Sequence, residues 1–406
     1  MEIKNAKRLT IILIVVSALG YFVDVYDLLL FSVVRKKSLL ELGVPDADTL
    51  ALGLRLLNFQ TLGLLLGGIF WGMLGDKKGR LTVLFGSIVL YSLANIVNGF
   101  VTTVSQYEIL RFIAGFGLAG ELGAGVTIVM ETMKKENRTI GITIVASVGL
   151  LGAVVAGYVG QHYDWRTSYI IGGVMGLLLL LLRFGAYESG LYKNIKEQNI
   201  DRGNFLKLFT NGERFWKYLK TILVGLPTYF VVGLLLTIAP EFAKEIGIAD
   251  KVNTGNAMMY CFTGFCIADV FGGLLSQRLQ SRKKVFYFFN VLSFISISVF
   301  FFFPASNLDG MYIRYAFLGI SIGYWALIVT NASEQFGTNL RATVTTTVPN
   351  FVRGALVPIT IIFESMKGSF GIAMSGAIIG LTTVVIALIA TTFTRETYGK
   401  DLDYLE

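Results

Sequence analysis

Apolar residues run through this chain in long unbroken stretches, and polar residues gather in the short segments between them. A segment crossing a bilayer core of roughly 30 Å needs about 20 helical residues, and a helix satisfies its own backbone where lipid offers no partner. Measured against that length, the runs predict twelve spanning helices at about 10–34, 56–75, 82–101, 106–132, 138–161, 166–186, 218–243, 254–278, 284–304, 309–333, 343–365 and 372–394. The longest internal polar stretch, about 187–217, divides them into six and six. Its periodic Leu191, Ile195, Ile200, Phe205 and Leu208 predict short interfacial helices. The expected organisation is therefore a first bundle over 1–186, a linker over 187–217 and a second bundle over 218–406.

The halves share a skeleton. Arg111, Gly120, Glu131 and Arg138 are matched by Arg314, Gly323, Glu334 and Arg341 at one constant offset, half the length of the chain. A common spacing for widely separated charged residues points to a duplicated, all-α membrane bundle with two pseudo-symmetric halves.

Composition narrows the class. Hydrophobic residues make up 54% and charged residues 15%, and the mean hydropathy is +0.65; a soluble surface needs more charge than that. The formal net charge of +8 raises the possibility of a nucleic-acid partner, but most Lys and Arg fall in alternate polar segments. The positive-inside rule then places both termini in the cytoplasm, with membrane lipid rather than nucleic acid as the surroundings. Lys4, Lys7 and Arg8 precede an apolar run without a small-residue cleavage pattern, which is expected to remain as an uncleaved first span. Arg35-Lys36-Lys37 lies at the outer end of that span against the charge rule. It belongs either to an amphipathic outer segment or to an entrance that attracts anions.

Cys261 and Cys266, the only cysteines, fall in one span and imply no disulfide framework. His162, the only histidine, sits at the outer end of the fifth span with no metal ligands near it in sequence, so no metal site is expected. No phosphate-cradling Gly-rich loop with Lys-Ser/Thr is present, and no cofactor is implied. No nucleophile and base can be placed together as an enzyme would need.

After the second span comes Gly72-Met73-Leu74-Gly75-Asp76-Lys77-Lys78-Gly79-Arg80, and a degenerate copy, Gly273 to Gln277 and Arg282, follows the eighth. With twelve spans and a six-plus-six duplication, this loop resembles the signature of the major facilitator superfamily across essentially the whole chain. The resemblance implies carriage of a solute by alternating access. It also implies an inner gate in which Gly72, Asp76, Gly79 and Arg80 latch the halves, joined by Glu131 with Arg138 and Glu334 with Arg341. Tyr187-Glu188-Ser189-Gly190 lacks the prolines of sugar-porter-like members, as does Lys134-Lys135 between Glu131 and Arg138.

Charges inside spans are costly enough to be functional by default. Tyr21 to Leu28 holds Asp24 and Asp27 at i and i+3, on one helix face. This segment looks like the first helix of phosphate:proton and metabolite:proton symporters, a similarity that makes Asp27 the protonatable acid. Asp27 and Arg111 lie at similar depth, counted at 1.5 Å per residue, so they form either a coupling pair or a static structural one. Asp24 is a second proton site, a cation ligand or a hydrogen-bond partner, and Glu121 is structural or part of the coupling.

In the second half, Arg353 lies near the midplane. It either binds an anionic substrate, as arginine binds carboxylates and phosphates, or is neutralised by Asp269. Asn350, Tyr229, Tyr324, Asp269 and Arg314 complete the expected substrate set. The sequence thus reads as a monomeric secondary carrier of a bacterial inner membrane, coupling protons to a small organic anion or phosphate. A carrier of a cationic, neutral or metal-ion solute that uses the intramembrane acids remains open, as does a transport-inactive sensor of the same fold.

Overall fold

The structure is a computed structural model that describes residues 2–133, 138–188, 205–248, 252–303, 305 and 307–399. Every regular element among them is helical. Nine helical stretches are long and apolar enough to cross a membrane. A tenth span is a pair of helices meeting at 42°, Thr82–Asn98 is a shorter apolar helix, and the stretch Asn339–Phe393 divides into two spans at Gly371, whose φ is 77°. Twelve spans result, and the chain is a multi-pass membrane protein.

The first three spans are Glu2–Glu41, Thr49–Lys78 and Arg80–Asn98. The second and third are separated by Gly79 alone, at φ 89° and ψ 154°, a conformation essentially confined to glycine. The fourth span consists of two half-helices, Val104–Leu118 and Glu121–Thr132; the fifth is Arg138–His162 and the sixth Trp165–Glu188. The boundary expected at 187–217 falls mainly on residues 189–204, outside those described. Of it, Phe205–Leu208 forms one short turn, and the seventh span already begins with Gly212–Val224.

That span bends at Gly225, where Pro227 lacks the N–H to continue the ladder, and proceeds through a π-helical turn at Phe230–Leu235. The eighth and ninth spans are Thr254–Arg278 and Arg282–Phe302. The tenth again consists of half-helices, Leu308–Ser321 and Trp325–Gln335. The eleventh starts as Thr338–Gly354 and, after a break at Ala355, continues to Gly371; the twelfth ends at Phe393.

The fourth and tenth spans expected from the sequence are present, each with its helical ladder interrupted once. Their breaks fall at Gly120 and Gly323, the glycines related by the duplication, and each break has polar partners. Trp71 Nε1 donates to Phe116 O at 2.7 Å and Asn350 Nδ2 to Ala119 O at 2.8 Å. Ser293 Oγ donates to Ser321 O at 2.9 Å, and Asp269 Oδ1 accepts from Ala326 N at 3.0 Å. Buried backbone groups freed by a broken helix need such partners.

The halves meet where the fifth span packs on the eighth and the second on the eleventh. Small residues permit the close approach: a side chain at Gly68 would strike Asn350, and one at Gly354 would strike Leu65. With "outer" and "inner" taken from the charge bias, the outer closure is Arg35 with Glu241, an ion pair at 2.5 Å joining the first span to the second half. Ser32 with Thr237 at 2.8 Å and Thr360 with Asn58 at 2.8 Å lie beside it. Of the two readings of Arg35-Lys36-Lys37, Arg35 fits neither simply: it is 2% exposed and ties the halves together.

Candidate functional site

Between the halves lies a cavity of about 20 Å³, roughly the size of one water. Tyr21, Val25 and Leu28 of the first span face it from one side, and Tyr229, Trp325 and Arg353 from the other. The Arg35–Glu241 pair lies on the cavity's outer side and the close approach of Gly68 to Asn350 on its inner side.

Arg353 is the charge at this cavity, and it is 2% exposed. Its Nε donates to Tyr229 Oη at 2.9 Å and one terminal nitrogen to Asn350 Oδ1 at 3.3 Å, while the other approaches Tyr21 Oη at 3.5 Å. Tyr21 is held in turn by Trp325 Nε1 at 2.9 Å, and the guanidinium lies 5.7 Å from the Trp325 ring centroid. All these partners are neutral. Among the described residues no carboxylate forms an ion pair with Arg353.

The expected neutralisation by Asp269 is corrected. Its carboxylate caps the inner half-helix of the tenth span through Ala326 N and lies 3.5 Å from Ser147 Oγ of the first half. Proximity in depth suggested the pairing, but the break in the tenth span offers a nearer partner: an unpaired N–H at a helix N-terminus, where the dipole also favours an anion.

Tyr324 and Arg314 are likewise displaced from the expected substrate set. Tyr324 stacks on Phe289 at 5.7 Å and donates to Val224 O at 3.1 Å, inside the second half. Arg314 does not line the cavity and is only half-buried, because the second half does not repeat the polar interior that surrounds Arg111. Asn350 acts behind Arg353, bridging it to Ala119 O at the break of the fourth span. The expected set missed Tyr21, Trp325, Phe262 and Phe265. Tyr21 had a signal, its place one turn before Asp24 in the segment that holds both acids, whereas the phenylalanines are indistinguishable in sequence from lipid-facing ones.

Asp27 and Arg111 are both completely buried, but they form no ion pair. Arg111 donates to Asn95 Oδ1 at 2.6 Å and lies over Tyr169 at 4.5 Å. Neither oxygen of Asp27 or of Asp24 has a hydrogen-bond partner among the described residues. Glu121 is paired with Arg183, a partner that sequence reading did not supply because it comes from the sixth span.

At the inner end, Gly72 faces Thr343 and Thr346 of the eleventh span. Asp76 and Arg80 occupy helix ends on either side of Gly79, and Glu131 and Arg138 lie on helices flanking the next loop. The side chains of these four fall outside those described. Glu334 pairs with Arg282 at 2.9 Å rather than with Arg341, which donates to the carbonyls of Ser333 and Phe336. The expected Glu334–Arg341 pair is thus replaced by one using the loop after the eighth span. Thr397 Oγ1 also donates to Glu334, at 2.7 Å.

The family described as Major Facilitator Superfamily matches residues 10–357. A putative metabolite transport protein of Haemophilus influenzae is 26% identical over 95% of this chain and 96% of its own. The cis,cis-muconate transport protein of Acinetobacter baylyi is 24% identical over 93% and 92%. Among solved structures, the proton:xylose symporter XylE bound to 6-bromo-6-deoxy-D-glucose superposes with a TM-score of 0.75 over 98% of both chains, at 17% identity, a likeness of fold.

Proposed function

The chain belongs to the major facilitator superfamily, and from that premise we propose that it carries a small organic anion, held by its carboxylate, together with protons. One observation carries this reading: a guanidinium buried at a cavity between the halves, whose hydrogen-bond partners among the described residues are all neutral, with Asp24 within electrostatic reach but making no ion pair with it. An unpaired buried charge is expensive, and a substrate carboxylate is the missing counter-ion. Arginine offers it a planar fork of donors.

The walls point to the rest of the molecule. Tyr21, Tyr229, Phe262, Phe265 and Trp325 give flat apolar surface on several sides, which suits a planar or conjugated carboxylate better than inorganic phosphate. The muconate transporter among the relatives is named for such a compound. Its name agrees with the chemistry of the cavity.

Asp27 is the proton carrier in this reading. It is buried with no hydrogen-bond partner on either oxygen among the described residues, and it lies close to Arg111 without forming an ion pair with it, so protonation breaks no ion pair. Alternation then means rocking of the halves about the cavity, with Arg35–Glu241 opening on the outer side.

The test is a thermal-shift and binding comparison on purified protein with benzoate, cis,cis-muconate and nicotinate, each beside its neutral amide. Stabilisation by at least one carboxylate but not by its amide, lost in Arg353→Gln, is the expected result. Equal stabilisation of wild type and Arg353→Gln removes Arg353 from the site. The proton arm is uptake driven by an imposed pH gradient in proteoliposomes, which Asp27→Asn abolishes; uptake that still follows the gradient in that variant refutes the role of Asp27.

A further inference from the structure

The first span has two working faces. Tyr21, Val25 and Leu28 look onto the central cavity, whereas Gly20, Asp24 and Asp27 look into the interior of the first half. There a side chain at Gly20 would strike Glu121 and Arg183, and Asp27 itself packs against Gly172 of the sixth span. The third span turns Ser87, Tyr91, Asn95 and Asn98 into the same interior, all completely buried, at the spacing of one helix face. The hydroxyls of Ser87 and Tyr91 and the side-chain amide of Asn98 have no hydrogen-bond partner among the described residues. Nor do Ser92 Oγ, Asn95 Nδ2 and two guanidinium nitrogens of Arg111.

These groups are continuous. At the outer end Ser38 lies 3.4 Å from Tyr107 Oη, which lies 2.7 Å from Tyr169 Oη. Arg111 covers the Tyr169 ring and reaches Asn95, and Asn95 adjoins Asp27. Asp24, one turn further in, is itself one turn from Gly20, where a side chain would strike Glu121 and Arg183, and it lies within electrostatic reach of Arg353. Tyr91, on the facing side of the third span, lies within electrostatic reach of Asp24, Asp27 and Glu121. At the inner end Arg183 holds Glu121 and donates to Leu84 O at 3.0 Å. From Tyr169 to Arg183 the sixth span rises about 21 Å at 1.5 Å per residue, most of a hydrocarbon core of roughly 30 Å.

Buried polar atoms in such number persist in folded proteins when ordered water partners them. At the matching place the second half has no acid: helix seven has Phe230 where helix one has Asp27, and Phe230 is completely buried. We propose that protons cross this carrier through the interior of the first half, along a hydrated file from Tyr107 and Tyr169 past Asp27 and Asp24 to the Glu121–Arg183 pair, while substrate crosses between the halves. A proton taken by the Asp27 carboxylate passes to Asp24 on the same helix face. It leaves when Glu121, released from Arg183, accepts it and gives it to inner water. The ion pair is the inner bolt, and the net movement is one proton with no other bond made or broken. The inference rests on Asp27 as the proton carrier and adds a route and an exit.

Proteoliposomes holding a trapped pH dye, with an inward-driving potassium diffusion potential and no substrate, test it. Arg183→Gln alone releases Glu121 and is expected to raise proton influx several-fold over wild type, and either Asp27→Asn or Glu121→Gln added to it is expected to return influx to the wild-type level. Influx unchanged in Arg183→Gln, or a raised influx insensitive to Asp27→Asn and to Glu121→Gln, overturns the route. A second measurement needs no variant that disturbs the bundle. The infrared carboxyl band that Asp27→Asn removes is expected to shift within the mixing time when water is replaced by heavy water; a band that resists exchange overturns the hydrated file. Failure of these tests with pH-driven uptake still abolished by Asp27→Asn refutes the route alone, whereas uptake insensitive to Asp27→Asn refutes the underlying reading.

Discussion

Single residues at the centre of this protein owe their roles to whichever partner stands closest. Arg353 is oriented by a phenol rather than by an acid, with Nε on Tyr229 Oη at 2.9 Å. A hydrogen bond to a charged group contributes roughly 1.5–3 kcal/mol, so Tyr229→Phe is expected to weaken binding of the stabilising carboxylate by about tenfold or more, since each 1.4 kcal/mol is a factor of about ten. Tyr324→Phe, one helix away and turned into the second half, is expected to leave that affinity unchanged. Titration calorimetry with both variants checks the pair, and equal losses would place Tyr324 back among the substrate contacts.

Helix ends make up the next scale, because this bundle breaks its helices inside the membrane. The break in the tenth span leaves the Ala326 N–H to Asp269, and a buried donor stripped of its partner costs roughly 1–3 kcal/mol. Asp269→Ala is therefore expected to lower the thermal unfolding temperature clearly, while Asp269→Asn, which keeps an acceptor, lowers it little. If Asp269 instead bound a cationic substrate, both variants would lose transport with stability intact.

Outside the membrane, Glu396 serves the ninth span in the same manner. Burial raises its pKa, but hydrogen bonds from Ser281 Oγ and from the N–H groups of Arg282, Tyr398 and Lys283 outweigh it and hold the carboxyl below its ordinary 4.5. A carboxyl with a depressed folded-state pKa contributes stability that is present above the unfolded value and lost as pH falls through the folded one. Wild type is expected to lose stability on acidification below about pH 4.5 more steeply than Glu396→Gln, in unfolding curves taken across that range.

For the molecule as a whole the halves are the moving parts, and the contacts between them set which state is populated. Buried Arg35 and partly buried Glu241 form an ion pair that joins the halves at the outer end. Removing one partner leaves the other uncompensated in a closed interface, so Glu241→Gln is expected to shift the population toward outer-open states. Distances between spin labels on the outer ends of the first and seventh spans report the shift; an unchanged distribution would reduce the pair to a static tie. The Glu334–Arg282 pair lies within one half, and its loss is expected to leave those distances unaltered.

Hydrophobic run lengths alone determined the all-helical class, the twelve spans and the six-plus-six order, because lipid imposes one length and one backbone solution on every crossing segment. The signature glycine was legible too: Gly79 occupies a backbone conformation that no other residue takes comfortably, so the requirement is local and the sequence records it. Arg353 and Asp27 stood out for a similar reason, since a charge in an apolar run is conspicuous wherever it points. What each charge faces was decided only by tertiary structure. Asp269 and Arg353 share a depth but not a neighbour, Glu121 found Arg183 from another helix, Arg314 lost the buried place of its duplicate, and the ladder interruptions at Gly120 and Gly323 with the bend at Gly225 set those neighbourhoods. Depth can be counted along a helix at a fixed rise per residue, whereas facing depends on rotation and breakage of helices against one another, which pairs of residues far apart in the chain decide together.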